Sequence, residues 1–144
     1  MISTGQYAET LRAMGRFLES ARASEIIIVD QGELVEVSWR GRRGSREERQ
    51  YRAWELDALR TWAKMFRGLE GGNPRFNLSE ALRTLGRELD VIGIESVTIV
   101  ETADGFWASG KIDGADVRQS YTNADLMAKS HAFNQSRTPE RARS

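Results

Sequence analysis

Apolar residues fall at alternating steps of four and three along two separated stretches of the chain. In the first, Tyr7, Leu11, Met14, Leu18 and Ala21 share one side, and in the second Leu78, Leu82, Leu85, Leu89 and Ile92 do the same. That spacing predicts two amphipathic helices. Ser3 and Gln6 stand at capping-box spacing before the first. Asn77 and Glu80 do so before the second, with Phe76 placed to staple its first turn.

The two stretches are close copies. Glu9 to Leu18 returns as Glu80 to Leu89, with six of ten positions identical at an offset of 71 residues. Gly15 and Gly86 are among the identities, and each lies inside its helix, where glycine costs about 1 kcal/mol relative to alanine. Such a cost predicts close approach of another backbone, either the partner helix or a strand beneath; the alternative is an ancestral glycine copied once and kept in both units.

Each helix leads into a run with the alternation and β-branching of a strand, Glu25 to Val29 and Ser96 to Val100. Comparing the copies selects the buried face: Ile26 and Ile28 match Val97 and Ile99, whereas Ile27 matches Thr98. Gln31-Gly32 and Asp104-Gly105 supply turn chemistry into second strands, Leu34 to Trp39 and Phe106 to Ile112. Short, weak third strands are expected around Glu47 to Tyr51 and Val117 to Tyr121. A closing helix follows each, the first running to about Phe66 and the second capped by Thr122 and Asp125.

The expected fold is therefore α+β: two tandem helix, strand, strand, (strand), helix units, residues 1–72 and 73–134, packed about a pseudo-twofold axis as one domain. The sheet is antiparallel, its helices lie on one side, and residues 135–144 form a disordered tail. The Gly- and Pro-bearing stretch 67–75 reads as the connector.

Composition narrows function mainly by exclusion. The chain has no cysteine and balances 21 basic against 21 acidic residues, so disulfide and thiolate chemistry are absent and no net field advertises a polyanionic partner. No apolar run has the length of a membrane span, and a soluble, cytoplasmic protein is expected. His131, the one histidine, has no triad or metal-ligand spacing around it, and the acids near the hairpin turns match no calcium loop. No cofactor motif is present, and the reading is non-catalytic.

Two places where the copies diverge carry the candidate sites. The segment around the first unit's hairpin holds Arg40, Arg42, Arg43, Arg46, Arg49 and Arg52 against Glu47 and Glu48, with Trp39 and Tyr51 nearby as stacking surfaces. It is a candidate contact for a polyanion, although a solvated loop of internally paired charges explains the same residues. The first closing helix is apolar on two faces, one bearing Trp54, Ala58, Trp62 and Met65 and the other Leu56, Leu59, Ala63 and Phe66. Either it is central in the core, or Trp54, Trp62, Met65 and Phe66 form a dimer seam or partner site. A ligand cleft near Trp39 and Trp107 is a third expectation.

The order helix, three strands, helix is similar in topology to the double-stranded RNA-binding domain. The resemblance stops there, because Trp54-Glu55-Leu56-Asp57 and Ala124-Asp125-Leu126 occupy the turns where such domains present lysines. The best reading is a binding or assembly module, with self-association or a protein partner, and nucleic-acid binding through 40–52 as the alternative.

Overall fold

The computed structural model describes residues 2, 3, 5–66 and 76–143, without the side chains of 63–66 and 137–143. In chain order it contains α1 (Tyr7–Ser20), β1 (Ser24–Asp30), β2 (Leu34–Arg40), β3 (Arg46–Arg52) and α2 (Ala53–Phe66). There follow α3 (Leu78–Ile92), β4 (Glu95–Glu101), β5 (Gly105–Ile112), β6 (Ala115–Thr122) and α4 (Asn123–Arg143). The connector 67–75 lies outside the described residues. Helix α4 carries on to Arg143, through the segment that the sequence marks as a tail.

The six strands form one antiparallel sheet in the order β3-β2-β1-β4-β5-β6. Two meanders therefore meet at β1 and β4, where Ile28 lies opposite Ile99. The outer strands are longer than the sequence suggests. β3 has seven residues and β6 eight, both paired in register with their neighbours along their full length. Their polar side chains hide this from propensity, and cross-strand bonding to β2 and β5 overrides it.

One face of the sheet is the floor of the core. Ile26, Ile28, Val35, Val37, Val97, Ile99, Phe106 and Ala108 point into it and are fully buried against Leu11, Met14 and Leu18 of α1 and Leu82, Leu85 and Leu89 of α3. Leu56 of α2 and Leu126 of α4 join the same cluster. The opposite face, beginning with Ile27 and Thr98, is only half buried, as the comparison of copies predicts.

Helices α1 and α3 lie antiparallel and in close contact, and their glycines are the reason they can. A Cβ on Gly15 would stand 2.6 Å from Cα of Ser79, and one on Gly86 would stand 2.5 Å from Cα of Ala8. No side chain fits at either point. The close approach inferred from the glycines is thus made by the partner helix rather than by a strand.

The same crossing caps both helices in trans. The Asp90 carboxylate, near the end of α3, accepts backbone N–H bonds from Gly5 and Tyr7 (both 2.9 Å) and from Ala8 (3.2 Å). Glu19, near the end of α1, accepts from the N–H of Ser79 at 2.6 Å. A negative group at a helix N-terminus satisfies donors that have no intrahelical partner and opposes the helix dipole. The expected Ser3–Gln6 capping box is accordingly not what caps α1: Gln6 occupies the cap position without a side-chain bond. Asn77 does cap α3, accepting from the Glu80 N–H at 3.0 Å.

The crossing makes a direct prediction. In an ordinary helix, Gly86→Ala would add about 1 kcal/mol of stability; here the methyl collides with the Ala8 backbone, and a net loss of about 1–3 kcal/mol is expected. Urea denaturation of the two proteins measures it, and a stabilised variant would show that the helices do not need this contact.

Candidate functional site

The half-buried sheet face is built from two rows of cross-strand neighbours. One reads Glu48, Ser38, Ile27, Val100, Trp107 and Ser120 from β3 to β6. The next reads Gln50, Glu36, Val29, Thr98, Ser109 and Arg118. Its centre is apolar because β1 and β4 are β-branched on both sides, and its flanks are polar. The Arg118 guanidinium lies over the Trp107 ring, 4.2 Å from its centroid. Such a stack shields part of the indole while leaving the arginine charge at the surface.

The sequence signal for this face was the Ile27/Thr98 mismatch, which marked the outward positions. It could not name Glu36, Glu48 or Arg118 as its rim, because those identities follow from register.

The six arginines do not act as one cluster. Arg40 donates to Oε2 of Glu25 at 2.5 Å and to the Gly44 carbonyl at 2.8 Å. Arg46 donates to the Glu25 carbonyl at 2.7 Å and to Oγ of Ser38 at 3.0 Å. The Arg40 hydrogen bond and the positive charge of Arg40 and Arg46 hold the exposed Glu25 carboxyl below its ordinary range. Arg49 points to the other face of the sheet, between the rings of Phe17 (5.1 Å) and Tyr51 (5.2 Å). Strand alternation thus separates residues that sequence places together.

Arg42 and Arg43 at the exposed hairpin tip, and Arg52 at the far end of β3, make no side-chain hydrogen bond or ion pair among the described residues. Trp39, buried at 4% exposure, donates its Nε1–H to Glu47 at 3.1 Å and packs edge-on against Phe17. It faces the core, whereas Trp107 is on the open face, so the two do not line a common cleft.

Helix α2 flanks α1 and β3 rather than occupying the centre. Leu56 is its buried anchor, and Arg60 clamps it to α1 by donating to Oγ1 of Thr10 at 3.0 Å while pairing with Asp57. Trp54 and Trp62 face outward and are 68% and 62% exposed, with exposed Ala58 between them. The side chains of Met65 and Phe66 lie outside the described residues. Of the two apolar faces read from the sequence, the leucine face goes in and the tryptophan face stays out.

The corresponding junction of α3 and α4 holds a buried ionic group. Glu80 is 2% exposed and accepts from Oγ of Ser130 at 3.0 Å, with Arg83 at 3.5 Å and Arg87 at 3.8 Å. Arg87 lies over the Phe133 ring, 3.4 Å from its centroid. Beside it opens a cleft of about 480 Å³ lined by Val91, Ala132 and Phe133, whose charged wall includes the Lys129–Glu88 pair at 3.1 Å. Charges there are balanced within the protein.

His131 is exposed and shares a hydrogen bond with Gln135. Among the described residues, no three acidic or histidine side chains converge as a metal site would require, and no helix is long and apolar enough to cross a membrane.

Comparison with known proteins finds no family model that matches the chain, and no curated protein or solved structure that matches it.

Glu101, where β4 leaves the core, provides a pH-dependent probe of the sheet. Burial raises its carboxyl above the usual range, while backbone N–H bonds, including that from Ile26 at 3.3 Å, oppose the shift. Folding therefore favours the protonated form. That contribution is fully present below the ordinary glutamate pKa and is lost as pH rises through the folded value. Glu101→Gln, which keeps an acceptor for Ile26, is expected to melt above the parent at neutral pH and level with it near about pH 4. Thermal unfolding at the two pH values checks this, and a gap independent of pH would refute the burial effect.

Proposed function

We propose that this chain is a duplicated, non-catalytic binding and assembly module. The observation that carries the reading is the open sheet face: the helices gather on one side of the sheet, while Ile27, Val29, Val100 and Trp107 stay partly exposed on the other. A contiguous apolar centre with a polar rim is the pattern of a surface that spends part of its time covered. The outward tryptophans of α2 are a second apolar surface of the same kind.

The duplication and its pseudo-twofold axis belong to this proposal. Their support is reciprocity at the sequence offset of 71 residues. Gly15 meets Ser79, and Gly86 meets Ala8, the two positions exchanging roles. Asp90 caps the first turn of α1, and Glu19 caps that of α3. Glu25 and Ser96, at matching bulges in β1 and β4, adopt the same left-handed conformation, φ 50° and 53°. The axis runs between Ile28 and Ile99. A fused pair of this kind presents a broad, nearly symmetric sheet rather than an enclosed cavity.

An assembly module should gain mass with concentration or retain a defined partner. Light scattering across a concentration series tests the first. Trp62→Glu tests the helix: if the α2 surface is the seam, association disappears while circular dichroism is unchanged. A parent chain that stays monomeric and holds no partner would overturn the module reading.

The second reading is polyanion binding at the β2–β3 hairpin, favoured specifically by the exposed Arg42 and Arg43, which are unpaired among the described residues. Fluorescence anisotropy with labelled single- and double-stranded DNA and RNA is the measurement. Binding through this tip is expected to weaken steeply with salt. Arg42→Ala with Arg43→Ala should lower the log–log salt slope by roughly one unit for each phosphate that is no longer neutralised. Affinity unaffected by the double change would eliminate the hairpin.

A further inference from the structure

We infer that the open sheet face is the seam of a face-to-face homodimer, in which the β3 edge of each copy lies over the β6 edge of the other. The inference rests on the assembly reading and names its partner as a second copy of this chain.

The first support is area. A face of six strands, with strands about 4.8 Å apart and about seven residues of about 3.3 Å each, measures roughly 29 by 23 Å. Two such faces together bury on the order of 1,300 Å², which falls within the range of stable protein interfaces. Sheets stacked in this way pack with strands nearly aligned, about 30° apart, and bring their outward side chains into one layer.

The second support is charge, and it selects one orientation. Because the fold is nearly twofold about the sheet normal, a second copy can be laid on the face in two ways that match shape equally well. The charges break the tie. The charged residues seated in the two central rows are Glu36 and Glu48 in the β1–β3 half and Arg118 in the β4–β6 half, with Arg46 reaching Ser38 from the row beside them.

With β3 over β6, Arg118 of one copy arrives over Gln50 of the second, beside Glu36 and Glu48, and the contact occurs twice. With β3 over β3, Glu36 of one copy meets Glu48 of the other and Arg118 meets Arg118. Like charges so placed cost affinity, and opposite charges set register. The chosen orientation also lays Ile27 over Val100 at the centre of the face. Extension through the β3 edge is disfavoured, because that strand presents Arg46, Glu47, Glu48 and Arg49 to solvent.

Analytical ultracentrifugation of the full chain from low to high micromolar concentration tests the seam. A dimer is expected, and Val100→Glu, at the centre of the face, is expected to yield a folded monomer. Arg118→Glu and Glu36→Arg each place like charges across the seam and should each weaken dimerisation by about tenfold or more. An equimolar mixture of those two variants regains a matched pair at both contacts, so heterodimer should form more tightly than either homodimer.

Rescue by mixing supports the orientation even if Val100→Glu fails to fold. A dimer indifferent to all three changes but lost in Trp62→Glu overturns the sheet seam and leaves the assembly reading standing. A chain monomeric throughout overturns the seam. If the tests of the preceding subsection are negative as well, it also overturns the reading beneath it.

Discussion

Everything in this fold depends on two helices crossing at a distance that only glycine permits. Gly15 and Gly86 bring the backbones of α1 and α3 together, and that contact sets how far apart the two meanders can stand. The apolar stripes of both helices then face down onto one continuous sheet instead of two separate ones. A side chain at either glycine would lift the helices apart, open space above Ile28 and Ile99, and draw Asp90 and Glu19 away from the N-termini they cap. Packing, capping and strand pairing are coupled through one point of contact.

That coupling also explains why the sheet has an open face. Helices α1, α2, α3 and α4 all bury apolar residues on the side where the crossing occurs. With the helices committed there, the other face of β1 and β4 is left to Ile27, Val29 and Val100, with Trp107 beside them under Arg118. A strand buried on both sides is ordinarily apolar on both sides. The two central strands have that composition while, among the described residues, only one of their faces is covered by helices. This mismatch between composition and burial is the physical basis for reading the molecule as something that docks.

The charged groups follow a similar logic. Ion pairs at the surface contribute little to stability, yet their placement is not idle. Glu25 occupies Arg40 and Arg46, and the rings of Phe17 and Tyr51 occupy Arg49, while the hairpin tip keeps its cationic charge unpaired among the described residues. Inside the α3–α4 junction, Glu80 is hydrogen-bonded and flanked by two arginines, which offsets the desolvation of a buried carboxylate. The two settings share residue types and differ in consequence, since one fastens helices together and the other decorates a sheet rim.

By itself the sequence determined the order of the elements and the buried stripes of α1, α3, β1 and β4. Periodicities of 3.6 and 2 are local, and the pairs Ile26/Val97 and Ile28/Ile99 against Ile27/Thr98 read out the inward face without any knowledge of topology. It also showed that Gly15 and Gly86 demand a close neighbour. Only the tertiary structure decided which neighbour that is, because the contacting residues are far apart along the chain. It likewise decided that α1 is capped by Asp90 rather than by Ser3 and Gln6. It turned the leucine side of α2 inward and left Trp54 and Trp62 outside, where helical periodicity offered two equally apolar faces. And it dispersed the arginines of β2 and β3, since cross-strand register, set by the turn and by the strand beside it, determines which face of a sheet each side chain reaches.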